Sequence, residues 1–174
     1  MKILLKVLGG LAVLVVLLVV VAFFLPRQYR VERAQLINAK PETVLAQVAD
    51  LHTWKGWGAW QERDPQMKIT YSPQAGGVGS WSAWESKSEG NGKMTITEIS
   101  ASKVTYRLEF PDMGMQSTGT MEVAAAAGGV RLLWADSGDH GLNPMNRWVG
   151  LFLDKMIGPD FERGLAHLKC RIER

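Results

Sequence analysis

The sequence predicts an α+β protein: a seven-stranded curved antiparallel sheet wrapped around a long C-terminal helix, preceded by an N-terminal transmembrane helix. Three observations carry this. Apolar residues recur at helical spacing from Met145 to Ile172. From Met67 to Asp136 the apolar period is two, broken by turn signals. Val7 to Leu25 is a run of 19 residues without a charge.

That first run, at about 1.5 Å per residue, spans roughly 28 Å, close to the hydrocarbon thickness of a bilayer. It is longer than the apolar core of a cleaved signal peptide. Its end, Ala22-Phe23-Phe24-Leu25-Pro26, is a poor cleavage site. We expect an uncleaved single-pass anchor over 1–28 and a domain over 29–174. Lys2 and Lys6 flank one side of the run, and Arg27, Arg30 and Arg33 flank the other. The short lysine-bearing tail favours a domain outside the cytoplasm.

Tyr29 to Ile37 reads as the first strand. Asn38 to Glu42 turns into a short helix, with Pro41 at an early helical position and Val44, Leu45 and Val48 as its apolar stripe. His52 to Pro65 follows as a second helical or looped segment. Trp54, Trp57 and Trp60 recur there at three-residue spacing, with Gly56 and Gly58 between them. Two roles suit them, a satellite core under a loop and an aromatic wall at a pocket mouth, and the two are compatible.

Six strands then succeed one another: Met67–Tyr71, Ser80–Glu85, Lys93–Ile99, Val104–Phe110, Met115–Val123 and Val130–Asp136. Their links are turn-length. Ser72–Gly79 is rich in Pro and Gly, and Gly90-Asn91-Gly92 is a hairpin signal. Such a succession predicts an antiparallel meander. After a polar loop, Asn143-Pro144 supplies a capping side chain and a preset φ for the last helix. Trp148, Phe152 and Met156, then Phe161, Leu165, Leu168 and Ile172, form its expected core stripe, and Gly158-Pro159 predicts a kink. Gly164 inside this helix implies a close approach to the sheet or the first helix. A helix of about 28 residues is roughly 42 Å long, and it needs a broad apolar surface to lie on.

Charge excludes one class of function. The chain carries 20 basic and 17 acidic residues, but Lys2, Lys6 and Arg27 belong to the N-terminal segment. The remainder is balanced, so nothing points to nucleic acid. The lone Cys170 permits no intrachain disulfide. His52, His140 and His167 are scattered, and no Cys/His/carboxylate spacing predicts a metal site or a cofactor. His167 is expected to pack on its helix. Neither a phosphate-binding Gly loop nor a Gly-x-Ser-x-Gly elbow occurs. Glu85, Arg107, Glu109 and Asp136 lie on strands, where they could face inward, and alternation puts Arg107 and Glu109 opposite the apolar row. No catalytic residue is assigned.

Several stretches, taken in order, resemble one superfamily. They are Asn38-Ala39-Lys40-Pro41-Glu42-Thr43-Val44, Trp54 to Trp60 with Asp64-Pro65, Gly76-Gly77-Val78-Gly79 before a Trp-bearing strand, and Phe161-Glu162-Arg163-Gly164-Leu165 with Leu168-Lys169. From about Tyr29 to Glu173 the chain resembles the START-like helix-grip (SRPBCC) superfamily, within it the membrane-tethered polyketide cyclase/dehydrase-like branch. The resemblance implies a cavity for a hydrophobic small molecule or lipid between sheet and C-terminal helix. Trp54, Trp57, Trp60, Trp84, Met94, Tyr106, Trp134, Phe152 and Met156 are its expected lining. It opens near the tryptophan-rich stretch, and the tether brings that mouth to the membrane. A binding or carrier role is favoured over a cyclase- or dehydratase-type enzyme and over a non-catalytic envelope sensor or docking module.

Overall fold

The computed structural model describes residues 2–74 and 76–174. Ala75, inside the turn expected over 72–79, lies outside the described residues, as do Met1 and the side chain of Lys2. Helix α1 (Lys2–Ala22) leads into strand β1 (Gln28–Ile37) and helix α2 (Pro41–Ala49). A 3₁₀ turn (Thr53–Gly56) and the short α3 (Ala59–Arg63) follow. Six strands come next: β2 (Lys68–Tyr71), β3 (Trp81–Glu85), β4 (Gly92–Ile99), β5 (Lys103–Phe110), β6 (Met115–Ala126) and β7 (Gly129–Asp139). Helices α4 (Pro144–Gly150) and α5 (Leu153–Ile172) close the chain.

The strands form one antiparallel sheet in the order β1-β7-β6-β5-β4-β3-β2. Strands β2 to β7 are a meander, and β1 returns to pair with β7 along its whole length. Alternation decides the faces. Val104 and Tyr106, Met121 and Val123, and Val130, Leu132 and Trp134 are buried on the concave side. Arg107 is exposed, as alternation requires. A bulge between Ile96 and Glu98 interrupts the β4–β5 ladder and locally increases twist.

Three aromatic residues lie over glycines on the paired strand. Trp84 faces Gly92, Tyr106 faces Gly119, and Tyr29 faces Gly138. A Cβ at any of these glycines would run into the ring beside it. The missing side chain lets a large ring lie flat on the sheet.

Helix α5 runs along β1 and is held at both ends. Lys169 Nζ donates to the Leu36 carbonyl at 2.7 Å, and Glu173 accepts from the Asn38 amide at 2.7 Å. Near its start, Arg33 bridges Asp154 (2.7 Å) and Glu162 (2.6 Å). Gly158 sits between those two carboxylates on the same helix face, and a Cβ there would strike the guanidinium.

The last helix departs from expectation in two ways. The break falls at Leu151–Phe152 rather than at Gly158-Pro159, since α5 runs continuously through Pro159. The cause is local. Gly150 packs against the His140 ring, where no side chain would fit, and the Leu151 and Phe152 amides bond back three residues to Trp148 and Val149. The core stripe is also half as long as expected. Phe161, Leu165 and Leu168 are buried, but Phe152 is 55% and Met156 59% exposed. Leu153 and Ile157 pack against the core half-buried, and the fully buried residues of α5 begin at Gly158.

Helix α1 is apolar and long enough to cross a membrane. Its side chains from Ile3 to Val21 are exposed, and only Ala22 is buried, where α4 meets it.

Candidate functional site

Aromatic rings fill the space between the sheet and α5. Trp134 on β7 stacks on Phe161 of α5 with centroids 4.3 Å apart. Trp54, Trp57 and Trp60 surround Trp134 edge-on at 5.5–5.8 Å. The Trp134 indole N–H donates to Tyr106 Oη at 2.6 Å, and Trp54 Nε1 donates to the Val48 carbonyl at 3.1 Å. These buried polar tips are thus satisfied inside the packing. The three-residue spacing of the tryptophans comes from the 3₁₀ turn and α3, which aim all three indoles at the sheet.

Toward α4 the interior turns polar. On the concave face the register sets Tyr106, Gly119, Asp136 and Val31 in one row. The next row is Leu108, Ser117, Gly138 and Tyr29. Asp136 thereby sits diagonal to both Tyr29 and Ser117. Tyr29 Oη donates to Asp136 Oδ1 at 3.0 Å, and Ser117 Oγ donates to Oδ2 at 2.8 Å. Burial raises the Asp136 pKa to about 6, against the two hydrogen bonds that favour the carboxylate. Burial and the Asp136 charge also raise the Tyr29 phenol well above its ordinary range.

His140 stacks on Tyr29 with centroids 4.9 Å apart. Its ring is buried, and neither Nδ1 nor Nε2 has a hydrogen-bond partner. Burial, with some help from Arg147 and against the pull of Asp139, holds this imidazole below its ordinary pKa range. A neutral imidazole carries one donor and one acceptor, so two bonding capacities are open here. Arg147 stands beside it, buried, donating to the carbonyls of Gly141, Ala22 and Phe23.

These groups border a cleft of about 190 Å³ between β1 and the α4–α5 junction, lined by Tyr29, Val31, His140, Arg147, Gly150 and Leu153 among others. A second cleft, of about 380 Å³, lies at the other end of the domain. Its lining includes Lys55, Trp57, Gln61, Asp64, Met67 and His167. Trp57 Nε1 and Gln61 Oε1 are buried there without partners. Leu153 of the first cleft and His167 of the second are fourteen residues apart on α5, about 21 Å. Among the described residues, no group of three or more His, Cys, Asp or Glu side chains is placed to hold a metal.

The structure brings together Trp54, Trp57, Trp60, Tyr106 and Trp134 of the expected lining, packed in one core cluster. Met94 is buried on β4, and Trp84 packs against the core from β3. Phe152 and Met156 stand apart on the surface. Of the expected residues, Trp57 borders one of these two clefts, the one farther from α1. Tyr29, Ser117, His140 and Arg147 were not singled out by the sequence. Only Asp136, an inward-facing possibility on its strand, pointed toward them.

A family profile described as "Polyketide cyclase / dehydrase and lipid transport" matches residues 28–173. No curated protein sequence matches the chain. Among solved structures, the KanY protein is 18% identical at a TM-score of 0.64, covering 84% of this chain and 99% of that one. Protein CV1439 from Chromobacterium violaceum is 17% identical at a TM-score of 0.55, covering 86% and 99%. The di-domain ARO/CYC StfQ from the steffimycin biosynthetic pathway is 10% identical at a TM-score of 0.60, covering 84% of this chain and 51% of that one. At these identities the likeness is one of fold. The profile, spanning the whole sheet and both closing helices, goes further: this chain belongs to the polyketide cyclase / dehydrase and lipid transport family.

Proposed function

We propose that the chain is a membrane-tethered domain that captures a hydrophobic small molecule or lipid by its polar end, in the cleft of Tyr29, His140 and Arg147. The observation that carries this reading is His140. A buried imidazole with both nitrogens unpartnered is costly, and a ligand hydroxyl, carbonyl or carboxylate would satisfy it. Size supports an amphiphile. A drug-sized ligand needs roughly 300–1,000 Å³, whereas this cleft offers about 190 Å³. A head group fits, and the tail stays outside, along α4 and the apolar α1. The family description, which includes lipid transport, agrees with this reading.

The test is photolabelling of the full chain in nanodiscs with a diazirine fatty acid and a photoreactive quinone, followed by peptide mass spectrometry. Label is expected on the peptides carrying Tyr29, His140 and Leu153. His140→Leu should cut it roughly five- to tenfold, the worth of one good hydrogen bond. Label confined to α1, or found only around Trp57 and His167, overturns the assignment.

One observation favours a second reading, an enzyme of cyclase or dehydrase type. Asp136, titrating near 6 and 3.0 Å from the Tyr29 phenol that borders the cleft, is a carboxyl suited to taking or giving a proton near neutral pH, with the un-ionised phenol as its relay. Conversion of a captured ligand that stops in Asp136→Asn, with photolabelling unchanged, would select this reading.

A further inference from the structure

We infer that the exposed apolar stripe of α4 and the start of α5 is a second membrane contact, which seats the domain on the bilayer in one fixed orientation beside α1. The inference rests on the reading of α1 as a membrane span and goes beyond tethering. A tether alone leaves the domain free to swivel.

Depth is set by contacts between α4 and α1. The Trp148 indole N–H donates to the Leu18 carbonyl at 3.1 Å. Arg147 closes the end of α1 by donating to the carbonyls of Ala22 (3.4 Å) and Phe23 (3.0 Å), and its guanidinium lies 5.4 Å from the Phe23 ring. A cation at a helix C-terminus also suits the helix dipole. Leu18 lies about 6 Å inside the end of α1, one helical turn into the apolar run. That run, Ile3–Ala22, has 20 residues, about the 30 Å of a hydrocarbon core with little to spare. Helix α4 is therefore fixed level with the last turn of the span, at interfacial depth. Trp148 is a residue type favoured there.

What α4 shows to its surroundings fits that depth. Met145, Val149, Phe152 and Met156 recur at spacings of four, three and four, and all four are exposed. Leu151 and Phe152 keep right-handed helical dihedrals through the break, so the stripe stays on one side. Phe24 and Leu142, also exposed, adjoin it at the end of α1 and before α4. Six large apolar side chains, continuous with a helix that is itself apolar all round, match a lipid surface. The cleft at His140 opens at this same junction, so a seated domain presents it to the lipid head groups.

The experiment uses the full chain with Cys170→Ser, one copy per nanodisc, and single cysteines carrying an environment-sensitive fluorophore. The positions are Val149→Cys, Phe152→Cys, Val13→Cys within α1, and Ala126→Cys. Ala126 is exposed near the β6–β7 turn, at the far end of β7 from α1, roughly 30 Å away. Lipids with a nitroxide near the head group should quench the labels at 149 and 152 at least about twofold more than at 126, as expected for side chains about 5–10 Å into the interface, and lipids with a nitroxide near the chain end should quench the label at 13, close to the middle of the span. Quenching at 13 but not at 149 and 152 overturns the seating while leaving the tether intact. No quenching at 13 overturns both. Burial of 149 and 152 only in discs holding two copies would make a second copy the occupant, and would also overturn it.

Discussion

Asp136 is the residue whose chemistry the fold changes most. Its folded pKa is near 6, against about 3.9 in an unfolded chain. The folded state therefore prefers the protonated form. The stability this lends is fully present below about pH 4, is lost as pH rises from about 4 to 6, and stays lost above that. The swing is at most about 3 kcal/mol. Asp136→Asn removes the titration and keeps one acceptor for Tyr29 or Ser117. Relative to the parent, the variant should gain stability between pH 4 and pH 7. Thermal unfolding of both at the two pH values measures this, and an unchanging difference would show that burial does not set the carboxyl's affinity for protons. His140 acts in the opposite direction: burial holds its pKa below the unfolded value of about 6.5, so the stability it lends is present above that value and is lost as pH falls below it. Parent and variant share this loss, so the comparison with Asp136→Asn isolates the carboxyl. None of this was legible in the sequence beyond the position of Asp136 two residues from Trp134 on a strand. His140 is a single histidine in a loop, and its partner in stacking is Tyr29, 111 residues away. Pairings of that separation exist only after β1 closes onto β7.

Elements were read well where one face meets water and the other meets protein. All seven strands lie within a few residues of the stretches read as strands, six of them by period-two alternation, and the three tryptophans converge because a 3₁₀ turn and a short helix carry them. The reading of α4 and α5 went astray for a physical reason. Periodicity reports that a face is apolar, not what covers it. Trp148, Phe152 and Met156 repeat as regularly as Phe161, Leu165 and Leu168, yet Trp148 reaches α1 and Phe152 and Met156 are exposed, while the second set is buried in the core. Gly158-Pro159 misled in the same way, because the glycine makes room for Arg33 and the helix continues. Gly164 shows the opposite case. Its expected close approach is present: a Cβ would lie 3.0 Å from the Trp134 ring and 3.7 Å from Trp57. Gly164→Leu should therefore destabilise the domain by about 1–3 kcal/mol through overpacking. For Gly164→Ala the tight contact offsets the helical gain of about 1 kcal/mol. Denaturant unfolding of the two variants decides it, and a neutral leucine would mean that the aromatic core yields more readily than its packing implies.

At the scale of the whole molecule, the issue is how far the domain depends on α1. The boundary after residue 28 falls inside a set of contacts that the structure makes continuous. Strand β1 already pairs at Gln28 with Asp139. The Arg27 carbonyl accepts from the His140 amide at 2.8 Å, and its side chain meets Asp139 at 2.7 Å. A chain beginning at Arg27 keeps all of these. It loses the Ala22 and Phe23 carbonyls that accept from Arg147, but the guanidinium retains Gly141 and gains water once α1 no longer covers it. The net loss is then about 1–2 kcal/mol rather than that of a buried unpaired charge. We predict that this shortened chain is soluble, has the circular dichroism of the full domain and unfolds in one cooperative transition. Its midpoint should fall only a few degrees, at roughly 2–4 °C per kcal/mol, below that of the full chain in nanodiscs. Starting instead at Tyr29 removes the Arg27 carbonyl and the first sheet pair, and should lower the midpoint further. Failure of the longer form to fold would mean that α1 belongs to the domain's core and not only to its attachment.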